Sequence, residues 1–340
     1  MNTENILKLR FLKFIIATLP YDRLCKFVGD FVPIFMLHRI VDTNNNPDIR
    51  QISLIHKYCE YLIENNYQTI SLDELVENLR QNSPLPHKTV VFTVDDGFSD
   101  QFEVIAPIFS KYKIPLTCFV STDLIDQKSW LWDDQVRYIL EESKKNNIVV
   151  KLPNGSGYQI SLKKEIKKTR QKLIAKLKKL DQTHIYAWIG DLYNAAGILK
   201  PNKAPEKFRG GSWSQLLKFT ESGHRIAAHS KTHRILSMLN ECEYAEEISG
   251  SIERIKKMLP VYSKVFAYPS GKESEFDIRE QAFLSNGDMI GAVSAIAGSV
   301  NNKSNLYALP RFSLPDNMFD FIQCLTYIEP LKSKFRDHYL

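Results

Sequence analysis

The chain has 340 residues, 44% of them hydrophobic and 25% charged, the proportions of an ordinary globular protein with material for one large core or two medium ones. A formal net charge of +6 is compatible with an anionic surface, such as a membrane face or an acidic polymer, and by itself names no partner. The five cysteines, Cys25, Cys59, Cys118, Cys242 and Cys324, are odd in number and scattered. That argues against a disulfide framework and a cysteine zinc knot, and favours a reducing compartment.

In residues 1–30, Lys8, Arg10, Lys13, Arg23 and Lys26 alternate with apolar side chains. The apolar run 11–19 is interrupted by Lys13 and is too short to span a bilayer, and Pro20-Tyr21-Asp22 offers no leader cleavage site. The segment predicts an amphipathic helix, which either packs on the body of the protein or makes peripheral contact with a membrane. With no clear leader, the expected location is cytoplasmic, extending to the inner membrane face.

Short apolar runs bounded by turn residues follow at 34–38, 90–94, 116–120, 226–229, 265–268, 290–293 and 308–312, and read as buried parallel strands. Helical spacing separates them. It covers 52–65, a stretch after the Ser71-Leu72-Asp73-Glu74 capping pattern, 98–112, and 240–259 ahead of Pro260. The alternation predicts an α/β fold. Strands that end in polar residues make it a deformed (β/α) barrel of about seven parallel strands, spanning 31–125 and 209–325. Between Trp130 and Phe208 no strand is evident, so 126–208 reads as a helical insertion and 326–340 as a C-terminal tail. The insertion contains a lysine-rich helix over 162–180, read as a solvated face in preference to a polyanion site. Asn154-Gly155-Ser156 reads as a turn.

Two runs carry the chemistry. Thr93-Val94-Asp95-Asp96-Gly97 closes one strand, and His229-Ser230-Lys231-Thr232-His233 follows another. Adjacent carboxylates at a buried strand end repel each other unless a cation is near, and two histidines four apart converge on a metal if the chain turns there. One carboxylate with two imidazoles leaves positions open for water and substrate, and the second carboxylate is free to act as a base.

These runs resemble those of the polysaccharide deacetylases, the NodB-homology proteins of carbohydrate esterase family four. The resemblance covers about residues 33–120 and 213–315. It implies Asp95 as general base and Asp96, His229 and His233 as ligands of a divalent metal. Zinc is the default ion, and the donor set also accepts cobalt, manganese, nickel or iron. Phe266-Ala267-Tyr268-Pro269-Ser270-Gly271 is similar to the family's third motif, with Ala267 and Ser270 replacing the usual residues, and implies the Ser270 N–H as an oxyanion donor; the alternative is a plain turn. Arg311 stands in for the arginine that the family often has at the position of Ala267, as support for Asp95, or makes a surface salt bridge. Phe35-Met36-Leu37-His38 resembles the first strand of a circularly rearranged subgroup, which makes His38 the proton donor. His56, His87, His184 and His224 read as structural or surface residues, and His338 as irrelevant. Trp130, Trp132 and Trp213 are candidates for stacking on sugar rings.

The implied activity is metal-dependent hydrolysis that removes acetyl from an N-acetylated sugar in a polysaccharide or its precursor. The alternatives are an amidase or esterase acting on another small acylated substrate, and a non-catalytic carbohydrate-binding relic. No stacking-plus-basic pattern supports nucleic acid as a partner.

Overall fold

A curled parallel sheet forms the body of the protein, seen in a computed structural model that describes residues 29–41, 46–152, 154–162 and 165–331. The amphipathic segment predicted over 1–30 lies outside the described residues except for its last two positions, as do Cys25, His338 and the tail beyond 331. Among the described residues no helix is long and apolar enough to cross a membrane. The described cysteines are all free thiols.

The strands β1 (Val32–Leu37), β3 (Thr89–Asp96), β4 (Leu116–Val120), β7 (Arg225–Ala228), β8 (Val265–Ala267) and β9 (Gly291–Val293) lie side by side in that order, all parallel. A short β2 (Gln68–Thr69) pairs with the start of β3, and β10 (Ser299–Val300) runs antiparallel to β1. The last predicted strand is realised as a strap across the gap between β9 and β1. Leu309 bridges to Val293, and β11 (Phe312–Ser313) pairs in parallel with β1. Pro310 lacks the N–H that a continuous ladder needs, which limits this run to short pairings.

Alternate residues of the strands serve two cores. Val32, Ile34, Val91, Phe119, Ala227, Val265 and Val293 fill the barrel interior, while Phe35, Leu37, Phe92, Val94, Cys118 and Ile226 face the surrounding helices. The period-two rule then puts Thr93 and Asp95 on the interior side with Val91. The sheet is therefore buried on both faces, which explains why its strands read as continuous apolar runs.

The helices start where their caps predict. Asp48 caps α1 (Ile49–Glu64), Ser71 caps α2 (Leu72–Arg80), and Asn240 caps the helix Glu241–Met258. The helix predicted over 98–112 is instead a π-turn at Gln101–Ile105 leading into α3 (Ala106–Lys111). Pro107 cannot donate the bond that a regular α-turn requires there.

Residues between β4 and β7 leave the sheet. After a short α4 (Thr122–Ile125) come α5 (Trp132–Glu142), an antiparallel hairpin of β5 (Asn147–Lys151) and β6 (Gly157–Ser161), α6 (Ile166–Leu177) and α7 (Ile185–Ala196). The hairpin corrects the expectation that no strand occurs here. In β5, Ile148 and Val150 are buried while Asn147, Val149 and Lys151 are exposed. The sequence shows three consecutive β-branched residues, and the solvent-facing Val149 hides the alternation. The hairpin turn is made by Asn154, whose Oδ1 accepts from Ser156 N at 3.1 Å. Trp132, Val136, Ile148, Ile160, Leu173 and Trp188 form a core belonging to this segment. The chain then returns through α8 (Trp213–Glu221), which carries a full Ser212/Gln215 capping box, to β7. From there it continues through α9 (Glu241–Met258), α10 (Ile278–Ser285) and α11 (Met318–Cys324).

Candidate active site

Asp95 and Asp96 end β3, at the C-terminal rim where parallel barrels carry their chemistry. Asp96 adopts φ +88° and Gly97 φ +93°, so the chain turns sharply after the strand and both carboxylates stay at one end. A Cβ at Gly97 would meet Val120 Cβ at 3.0 Å in a backbone conformation that disfavours side chains. Gln101 secures this turn. Its Oε1 accepts from Gly97 N at 3.0 Å, and its Nε2 donates to the carbonyls of Asp95 and His38, the latter at 2.8 Å.

His229 follows β7, and the next four residues fold back. Ser230 and His233 take φ +64° and +59°, and Ser230 Oγ accepts from His233 N at 3.0 Å. Glu247 of α9, fully buried, fastens the loop from beneath. Its carboxylate accepts from Lys231 N at 3.0 Å, Thr232 N at 2.8 Å and Thr232 Oγ1 at 2.5 Å, and pairs with Arg234 at 2.9 Å. Left-handed residues of this kind cost about 1–3 kcal/mol each, so the surrounding bonds must over-determine them.

The result is a buried group of Asp96, His229 and His233 whose ligand atoms all lie within 4.8 Å of one another. Asp96 Oδ1 is 3.7 Å from His229 Nε2 and 3.4 Å from His233 Nε2. His229 Nδ1 lies 2.8 Å from Ala267 O, so it carries the proton, and Nε2 turns its lone pair inward. Burial lowers His229 to about 4 and His233 well below the usual imidazole value, so both rings are neutral. Burial, reinforced by the charges of Asp95 and Asp133, raises Asp96 well above the carboxylate range. Two neutral imidazoles whose Nε2 atoms face a carboxylate that is costly to ionise alone are the donor chemistry a divalent cation satisfies. The residues fit the metal that the sequence implies.

Asp95 is held apart from this group. Arg311, fully buried, grips it with two bonds, Nη1 to Oδ1 at 2.8 Å and Nη2 to Oδ2 at 2.6 Å. Arg311 is itself anchored by Nε to Ser294 O at 2.8 Å and Nη1 to Thr93 Oγ1 at 3.0 Å. Burial alone would raise the Asp95 pKa, but the guanidinium outweighs it and holds the carboxyl at about 2. The surface salt bridge considered for Arg311 is therefore not what the structure shows.

His38, one residue past β1, is solvent-exposed yet lies among the same charges. The crowding protein lowers its pKa, opposed by the charge of Asp95. Ser270 takes φ +62° after β8, and among the described residues its N–H has no hydrogen-bond acceptor. Its Oγ accepts from Lys178 Nζ at 2.6 Å, and Lys178 also pairs with Glu275 at 3.1 Å. Lys178 belongs to the lysine-rich stretch read as a solvated face; this one lysine instead crosses to the barrel.

The tryptophans do not present free ring faces. Trp132 is fully buried, Trp130 packs on Phe208 at 4.9 Å, and Trp213 is half-buried beneath Arg254 with its Nε1 bonded to Asp126. His224 is structural, bonded to Ser110 and Leu116 N. Gln101, Glu247, Asp133 and Lys178 escaped the sequence reading, because each reaches the site from a helix or loop whose local pattern is ordinary.

The chain belongs to the polysaccharide deacetylase family, whose model matches residues 82–282. Residues in that match carry both the Asp-Asp-Gly turn and the histidine loop. Among curated proteins, the chain is 29% identical over 106 residues to YxkH of Bacillus subtilis, whose name assigns it to the polysaccharide deacetylases; the match covers 31% of this chain and 37% of that one. It is 35% identical over 63 residues to the poly-β-1,6-N-acetyl-D-glucosamine N-deacetylase of Escherichia coli, covering 18% and 9%. The match thus spans well under half the length of either relative. Among solved structures, the Streptococcus pyogenes deacetylase PplD in complex with acetate superposes with a TM-score of 0.57 at 16% identity, covering 87% of this chain and 98% of that one. At that identity the likeness shows a shared fold.

Proposed function

We propose that this chain removes an acetyl group from an N-acetylated sugar in a polysaccharide or its precursor, by metal-dependent hydrolysis. The observation that carries the reading is the division of labour between neighbours. Asp96 faces two neutral imidazoles, while Asp95 is held away by a buried bidentate arginine. The name of the Escherichia coli relative supports an N-acetylated sugar as the substrate class.

Asp96, His229 and His233 would hold the ion, with zinc the default and cobalt, manganese, nickel or iron also suited to the donors. Such an ion would supply Lewis-acid polarisation and a more acidic water at this site. Asp95, its carboxylate oriented by Arg311, accepts a proton from the attacking water. The Ser270 N–H donates to the carbonyl oxygen as it gains charge. His38 delivers a proton to the leaving nitrogen.

The test is acetate release from matched panels of N-acetylated and O-acetylated sugar oligomers. The reading predicts release from the N-acetylated members. Release confined to O-acetyl esters, or none from either panel, contradicts it.

A further inference from the structure

The two imidazoles of the proposed metal group are not equally supported. His229 has its outer nitrogen fixed, with Nδ1 2.8 Å from Ala267 O. The outer nitrogen of His233 is buried and has no hydrogen-bond partner. A neutral imidazole that turns Nε2 toward a cation carries its proton on Nδ1, and a buried N–H without an acceptor is costly.

One acceptor faces it. Asp133 Oδ1 lies 3.9 Å from His233 Nδ1 and is likewise buried without a hydrogen-bond partner. Two orphaned, complementary atoms are thus separated by a gap that a shift of about 1 Å would turn into an ordinary hydrogen bond. Asp133 lies in the first turn of α5, next to Trp132, whose Nε1 donates to the backbone carbonyl of His233 at 2.9 Å. From α7, Tyr186 donates to Thr232 O at 2.8 Å. The segment between β4 and β7 therefore grips the histidine loop by its backbone and offers it a carboxylate.

We infer that Asp133 is a positioning residue for the metal centre, accepting the Nδ1 proton of His233 and fixing that ring for coordination. The inference rests on the metal reading above. It makes the insertion a supporting part of the site, since the barrel supplies the ligands and the insertion orients one of them.

The test uses the full chain, stripped of metal, with Asp133→Ala and Asp133→Asn variants. Zinc affinity is measured by competition with a chromophoric chelator, and thermal stability with and without zinc. Asp133→Ala should weaken zinc binding about 10–100-fold and shrink the stability gained on adding zinc. Asp133→Asn keeps an oxygen acceptor but loses the charge, and should fall between Asp133→Ala and the parent protein. An acid that merely stabilises the start of α5 would lower the stability of the metal-free protein and leave zinc affinity unchanged. Zinc affinity within about threefold of the parent in Asp133→Ala, or in Asp133→Asn should the alanine variant not fold, overturns the inference. A parent protein that binds no zinc overturns the metal reading and this inference together, whereas normal binding by parent and variants overturns this inference alone.

Discussion

Replacing Arg311 with methionine tests whether Asp95 is held by a buried pair. Methionine approximates the stem of arginine but removes the guanidinium, leaving the Asp95 carboxylate buried and unpaired and freeing Ser294 O and Thr93 Oγ1. Breaking a buried pair on one side costs about 3–5 kcal/mol, and the loss of two further charge-assisted bonds from the guanidinium makes the low end of that range a lower bound. In the parent protein Asp95 sits near 2 against an ordinary value of 3.8, which corresponds to about 2 kcal/mol of stability. The folded value lies below the unfolded one, so this stabilisation is fully present above pH 3.8 and is lost as the pH falls toward 2. Urea unfolding of Arg311→Met at neutral pH should therefore show a loss of at least about 3 kcal/mol, which narrows in acid as the orphaned carboxyl takes up a proton. Adding Asp95→Asn to Arg311→Met should recover much of the loss, because an amide carries no charge to bury. A loss below about 1 kcal/mol, or a double variant no more stable than Arg311→Met, would refute the reasoning.

Asp95→Asn alone should lower kcat by about 10²–10⁴-fold while zinc affinity stays near that of the parent, read by acetate release and metal competition on the same preparation. His38→Ala should slow release of an amine far more than release of an activated phenol from an aryl acetate, because only the poor leaving group needs the proton; equal losses would remove His38 from the donor role. Glu247→Gln, which weakens the charge-assisted bonds to Lys231 N and Thr232 N, should lower zinc affinity and thermal stability together. Gly97→Ala should destabilise the protein by more than about 1 kcal/mol in urea, since it combines an unfavourable φ with the 3.0 Å approach to Val120 Cβ.

The barrel was legible because its strands are buried on both faces and stand out as apolar runs. The convergence of Asp96, His229 and His233 was legible because Asp95-Asp96-Gly97 and His229…His233 are local patterns with a chemical reason for their spacing. The pairing of Arg311 with Asp95 joins residues far apart in the chain, and sequence could offer it only beside a surface salt bridge. What was missed has a common cause. Asp133, Lys178 and Glu247 act through tertiary placement, and each looks like an ordinary charge on a helix. The hairpin of β5 and β6 was missed because Val149 is apolar and 71% exposed, which erases the alternation that marks a half-buried strand. The same holds for Trp132, which composition offered as a sugar platform and the structure uses to hold the carbonyl of His233.

The central claim is that Asp96, His229 and His233 hold a cation required for deacetylation. The most direct measurement titrates zinc into metal-free protein while following acetate release from an N-acetylated sugar oligomer. The account predicts negligible release without metal, activity that rises to a plateau at about one ion per chain, and no recovery in an Asp96→Ala variant. Undiminished acetate release from metal-free protein, or full recovery in Asp96→Ala, would contradict it.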